Sequence, residues 1–211
     1  MPSLRQLLAA HPPLLLIDAA SARVQVGWLE EATSRWASAE EESGIAVFRC
    51  LEQLGRRVEE AGAFVFCDGP GSILGIRTVA MALRTWSVLQ ARPIFAYSGL
   101  AVVAHALSRP EVTVIADARR DAWHCYRRTD GLRRLPTGSL PGDLVMPDGF
   151  RHWTPLPPTV ARTSYDLATL LPQILDQDLF LPTEAPDAFL HEEPSYVTWT
   201  PQVHRAPVSP R

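Results

Sequence analysis

The chain has 211 residues, 46% of them apolar, and a formal net charge of −3. That length fits one large domain or two small ones around a real core, and the charge excludes a global attraction to nucleic acid or to an anionic membrane. All 20 basic residues are arginine, which excludes a Walker-type phosphate lysine, a Schiff-base lysine and a lysine general base.

In chain order, Leu14 to Ile17 reads as a strand. It is too short to span a membrane, and His11-Pro12-Pro13 interrupts the apolar run that a signal peptide needs, so a soluble, cytoplasmic protein is expected. Asp18-Ala19-Ala20-Ser21 is a turn. Val24, Val26 and Trp28 alternate as a second strand, and Glu31 to Ala37 supplies a third, giving an antiparallel meander. From Glu42 to Glu60 the apolar residues Val47, Leu51, Leu54 and Val58 fall at helical spacing. Ala63 to Cys67 is a buried strand, Ser72 to Gln90 a helix, Pro93 to Tyr97 a strand, and Ser98 caps a helix carrying Leu100, Val103 and Leu107. After Pro110 the pattern restarts with a strand from Val112 to Ala116, a turn at Asp117 to Arg120 and a returning strand from Ala122 to Tyr126. This restart suggests a duplicated architecture. Beyond Gly131 prolines thicken around one helix, Ser164 to Asp176, and from Leu181 the chain reads as irregular.

Chemistry concentrates at Cys67-Asp68-Gly69-Pro70-Gly71-Ser72, between a strand and a helix. A glycine turn there can cradle an anion, because the first N–H groups of a helix lack partners and its dipole is positive. The plainer reading is a tight turn with Ser72 as helix cap. Asp18 and Asp117 each follow a strand, where a carboxylate can position a metal-bound nucleotide or accept N–H bonds within its own turn. Cys50, Cys67 and Cys125 match neither a disulfide framework nor a zinc motif, and the six histidines include no pair at ligand spacing, so no metal site is expected. No base is placed to activate Ser72 as a nucleophile. Arg119, Arg120, Arg127, Arg128, Arg133 and Arg134 crowd one hairpin, which suits contact with RNA phosphate or an acidic partner as well as a solvated surface.

The order Leu15-Leu16-Ile17-Asp18-Ala19-Ala20-Ser21, then Asp68-Gly69-Pro70-Gly71-Ser72 with Gly75-Ile76-Arg77, then Ser98-Gly99-Leu100 and Val114-Ile115-Ala116-Asp117-Ala118-Arg119, resembles the TsaB family. The likeness spans residues 14 to 126, and Pro194-Ser195-Tyr196-Val197 is similar to the family's closing motif. The first loop departs from the usual D-T-S-T, losing hydroxyls expected near a phosphate, and Glu41-Glu42-Ser43-Gly44 stands where a histidine-serine pair is common.

The resemblance implies an α/β fold of the actin/Hsp70 type. Its parts would be an N-terminal extension (residues 1–13), a first lobe (14–109) and a reduced second lobe with a Pro-rich tail (110–211). It implies a non-catalytic subunit that pairs with a TsaD-type paralogue, engages a TsaE-type ATPase and meets tRNA through that complex during threonylcarbamoyl-adenosine modification; alone it would form a homodimer. Val47 and Leu51, with Ile76, Val79, Leu83 and Trp86 of the next helix, are the expected interface, since a helix apolar on two faces must be covered twice. The competing reading is an actin-like phosphotransferase binding ATP or ADP at Asp18, Ser21, Gly69, Gly71, Ser72 and Asp117. Arg119, Arg120, Arg127 and Arg128 are the candidates for contact with tRNA or a partner.

Overall fold

The computed structural model describes residues 1–189; the Pro194 to Val197 motif and most of the proline-rich tail lie outside the described residues. The first half builds a six-stranded sheet from β1 (Leu14–Asp18), β2 (Val24–Leu29), β3 (Ser34–Ala39), β4 (Ala63–Gly69) and β5 (Ile94–Ser98), with the two-residue β11 (Leu181–Pro182) at its edge; the order is β11-β5-β4-β1-β2-β3. β1, β4 and β5 run parallel, and β2 and β3 fold back antiparallel. The second half repeats that plan with β6 (Thr113–Asp117), β7 (Ala122–Arg127), β8 (Gly131–Pro136), β9 (Leu144–Pro147) and β10 (Val160–Thr163), ordered β10-β9-β6-β7-β8. Here too the first strand carries an antiparallel hairpin on one side and a parallel pair on the other.

Each parallel step in the first sheet needs a crossover. α2 (Ser43–Leu54) carries the chain towards β4, and α3 (Ile73–Leu89) links β4 to β5. α2 stops short of Glu60 because Gly55 turns left-handed (φ 59°) and donates its N–H to Glu52, a glycine helix end. Ser72 caps α3 by accepting the Gly75 N–H. α4 (Gly99–Ala106) packs against strands of both sheets, and its residues Gly99 to Ala104 are all buried. It is the shared middle of the core.

Three sequence expectations shift. The third strand is β3, Ser34–Ala39, rather than Glu31 to Ala37. The helix expected over Ser164 to Asp176 shrinks to α5 (Leu167–Leu170) followed by a 3-10 turn, Leu171–Ile174, since Pro172 has no N–H to continue an α-helix. The proline-rich stretch after Gly131 also holds β8, β9 and β10. Residues 1–13 are anchored to the fold: α1 (Leu4–Ala10) opens on a reciprocal Ser3/Gln6 capping box, buries Leu4 and Leu7, and pairs Arg5 with Asp176.

Candidate functional site: a cleft between two sheets

A cleft of about 1030 Å³ opens where the C-terminal ends of β1, β4 and β6 face one another. Its first-sheet side is made by the Ala20–Ser21 turn, Asp68 and the Gly69-Pro70-Gly71-Ser72 turn. Ser72 donates its N–H to the Ala20 carbonyl at 2.8 Å, and a Cβ on Gly71 or Gly75 would lie 2.3 or 2.2 Å from the carbonyl oxygens of Ala20 and Ala19. The glycines therefore let two turns touch backbone to backbone. What reads in sequence as an anion cradle is filled by the neighbouring loop. Ser21 closes on itself, its Oγ donating to the Arg23 carbonyl and accepting the Arg23 N–H.

Asp18 is fully buried. Its carboxylate accepts hydrogen bonds from the Tyr97 hydroxyl at 2.7 Å, the Tyr165 hydroxyl at 2.6 Å and the Ala20 N–H at 2.9 Å. Desolvation raises its pKa, and these donors oppose the rise. Sealed under two tyrosines, Asp18 does not face the cleft as a metal or nucleotide ligand would. Asp117 borders the cleft, yet its oxygens are taken up by the N–H groups of Arg119, Trp153 and Thr154 and by the Thr154 hydroxyl. Partial burial pushes its pKa up, but those donors outweigh it and hold the carboxyl below its ordinary value. Both aspartates thus act as turn anchors. No group of three or more His, Cys, Asp or Glu side chains among the described residues is arranged to hold a metal ion.

The opposite wall is basic. Arg119, Arg120 and Asp121 stand consecutively in the left-handed region (φ 60°, 52° and 56°), a conformation that costs on the order of 1–3 kcal/mol per non-glycine residue. Asp117 secures this turn from one end, while Thr137 bonds the Asp121 carbonyl from the other. The turn sets Arg119 over the Trp153 ring, 4.0 Å from its centroid, with Arg120 and Arg151 also lining the cleft. The sequence offers little to mark Trp153 and Arg151: an arginine and a tryptophan bracket His152 after an apolar run, and the exposure of the tryptophan is legible only in the fold. Asp68 was also passed over as a titrating group. Half-buried at the strand end, its carboxyl is pushed by desolvation to about 7.

The remaining candidates separate. Arg128 reaches back to the carbonyls of Ala104, His105 and Leu107, securing the end of α4, so it joins the two halves rather than offering itself to RNA. Arg127 pairs with Asp130 at 3.2 Å. Of the expected interface residues, Val47, Leu51, Ile76, Val79 and Leu83 lie in the chain's own core, because the inner stripes of α2 and α3 are spent on the sheet and on each other. They are not available to a partner. Trp86 is half-buried between Phe64 and Phe48. The apolar residues that the same helices leave outside are Ile45, Phe48, Ile73, Leu74, Met81, Val88 and Leu89.

Two solved structures are similar to this chain in fold. An uncharacterized protein with similarity to peptidase YeaZ from Pseudomonas aeruginosa superposes with a TM-score of 0.60 over 85% of this chain and 99% of its own, at 21% identity. YeaZ from Pseudomonas aeruginosa gives 0.57 over 84% and 99%, also at 21% identity. The fold is actin-like. At that identity the likeness establishes the fold alone. No protein-family model matches the chain, and no curated protein matches it in sequence. In actin-like terms the cleft lies between the two sheet units, and no helix among the described residues is long and apolar enough to cross a membrane.

Proposed function

We propose that this chain is a TsaB-type, non-catalytic subunit that pairs with a TsaD-type transferase, with a TsaE-type ATPase joining the pair, in threonylcarbamoyl-adenosine modification of tRNA. The observation carrying this reading is the apolar outer face of α2 and α3. Leu74, Met81 and Val88 recur every seventh residue on α3, so they share one stripe, and they are 73%, 58% and 86% exposed. Phe48 of α2 extends the stripe, meeting Trp86 edge-on. Apolar residues gathered on a helix pair of a soluble fold mark a protein contact. The YeaZ-like fold supports a partner of the TsaD type, and the saturated state of Asp18 and Asp117 supports assigning the chemistry to that partner.

The test is co-expression with the TsaD-type and TsaE-type proteins of the same cell, followed by affinity capture. Met81→Glu and Leu74→Glu should each abolish capture of the TsaD-type protein and any self-association, because a lone charge in a dry contact costs about 2 kcal/mol or more. Their melting temperatures should stay within a few degrees of the parent. Capture undiminished in both variants, or ATP hydrolysis by the purified chain lost on Asp117→Asn, would overturn the proposal.

A further inference from the structure

After β11 the chain is steered into the mouth of the cleft. The Thr183 N–H bonds the Ile94 carbonyl, Asp187 lies 3.5 Å from Arg77 and 3.6 Å from Arg84 on α3, and Ala188 is buried. Phe189 then donates its N–H to the Asp68 carbonyl at 2.7 Å, and Ala188 and Phe189 themselves line the cleft. These contacts fix the point from which Leu190 to Arg211 continue. The continuation begins Leu190-His191-Glu192-Glu193, and because a chain spans at most about 3.6 Å per residue, both glutamates stay within roughly 15 Å of Phe189.

The wall they enter against is basic. Arg120 and Arg151 line it, both exposed, and their side chains have no ion-pair or hydrogen-bond partner among the described residues. Trp153, 63% exposed, stands beside them with its N–H fixed to Asp117 at 2.6 Å. Glu40, Glu41 and Glu42 border the same cleft from the β3–α2 side. An acidic segment entering at Phe189 is repelled by that rim and drawn to the arginines, so charge alone assigns it one side of the opening. Room is not limiting, since about 1030 Å³ stands at the upper end of ligand-sized pockets.

We propose that the cleft is occupied by the chain's own residues 190–199, with Glu192 and Glu193 paired to Arg120 and Arg151 and Tyr196 laid against the Trp153 ring, so that the segment straps one sheet unit to the other. Each exposed ion pair is weak by itself. Tethering at Phe189 holds the segment at a high effective concentration beside the wall, which lets weak contacts suffice. The strap leaves the α2/α3 face untouched, so it stands or falls separately from the partner reading.

The test is chymotrypsin cleavage of the full chain at Tyr196 and Trp199, followed by mass spectrometry, with a synthetic peptide of residues 190–199 as the unprotected reference. The parent should be cut at these sites about tenfold more slowly than the peptide, the worth of two ion pairs. Glu192→Arg with Glu193→Arg should remove that protection, as should Arg120→Glu with Arg151→Glu, and all four changes together should restore it, with melting temperatures within a few degrees of the parent. Added salt should speed cleavage of the parent and leave the peptide unchanged. Cleavage of the parent as fast as the peptide, or charge reversal without effect, would overturn the proposal. So would protection that grows with protein concentration, which would put the segment of a second copy in the cleft. Pyrophosphate that binds the parent and is lost with Arg151→Ala, while cleavage stays the same, would show that the wall serves a diffusible anion instead.

Discussion

Asp68 sits where a carboxyl is expensive to ionise, at the end of a buried strand with its backbone carbonyl held by the Phe189 N–H and its pKa raised to about 7. The folded chain holds this proton more tightly than the unfolded one. The contribution of Asp68 to stability is therefore fully present below the ordinary carboxylate range and is lost as pH rises towards about 7. Asp68→Asn should remove that loss, so urea titrations at pH 8 should find the variant more stable than the parent by roughly 1–3 kcal/mol, with the gap closing near pH 4. A gap that stays constant across the range would show that the carboxyl is not desolvated. Asp18 contrasts with it: more deeply buried, it is matched by three donors, and its role is to fasten Tyr97 and Tyr165 to the first sheet.

Among the elements, the turn between β4 and α3 shows how far sequence reading reaches. The strand–turn–helix order, Ser72 as cap and the helix end at Gln90 were all legible, because each is a local signal: apolar run, glycine, capping hydroxyl, helical spacing. What the glycines are for was not legible, since it depends on Ala19 and Ala20, distant in sequence and brought there only by β1 pairing with β4. Gly71→Ala would press a methyl against a backbone carbonyl that cannot move aside, and should lower stability by about 1–3 kcal/mol. Calorimetry of that variant checks it, with Gly138→Ala, where nothing lies within 4 Å, as the control expected to be near neutral. The same limit explains the interface residues. Helical spacing finds apolar stripes but cannot say which stripe the sheet takes, and the sheet took Val47, Val79 and Leu83 while leaving Phe48, Leu74 and Met81 outside.

For the whole molecule, the restart after Pro110 correctly foretold two sheets with one plan, whereas β8, β9 and β10 were hidden by prolines and short length. The halves are not independent. α4 belongs to the first by sequence and is packed against β6 and β7 of the second. The Gln25 side chain donates to the Tyr165 carbonyl and accepts the Leu167 N–H, and β11 returns to pair with β5. A fragment ending at residue 109 should therefore expose both the outer side of α4 and the edge of β5. It should show no cooperative thermal transition and should bind a hydrophobic dye, whereas the full chain should melt in a single step. A fragment that melts sharply would mean that the first sheet is a self-sufficient folding unit.

The split of charge across the cleft, glutamates on the β3–α2 rim and arginines on the β6–β7 turn, gives the opening a local dipole. Between low-dielectric walls such a field is focused at the mouth. A ligand with an anionic end and a neutral or cationic end would be turned to the correct orientation before it touches either wall. Added salt would weaken that steering, so the ionic-strength dependence of an encounter rate would report the field at this opening.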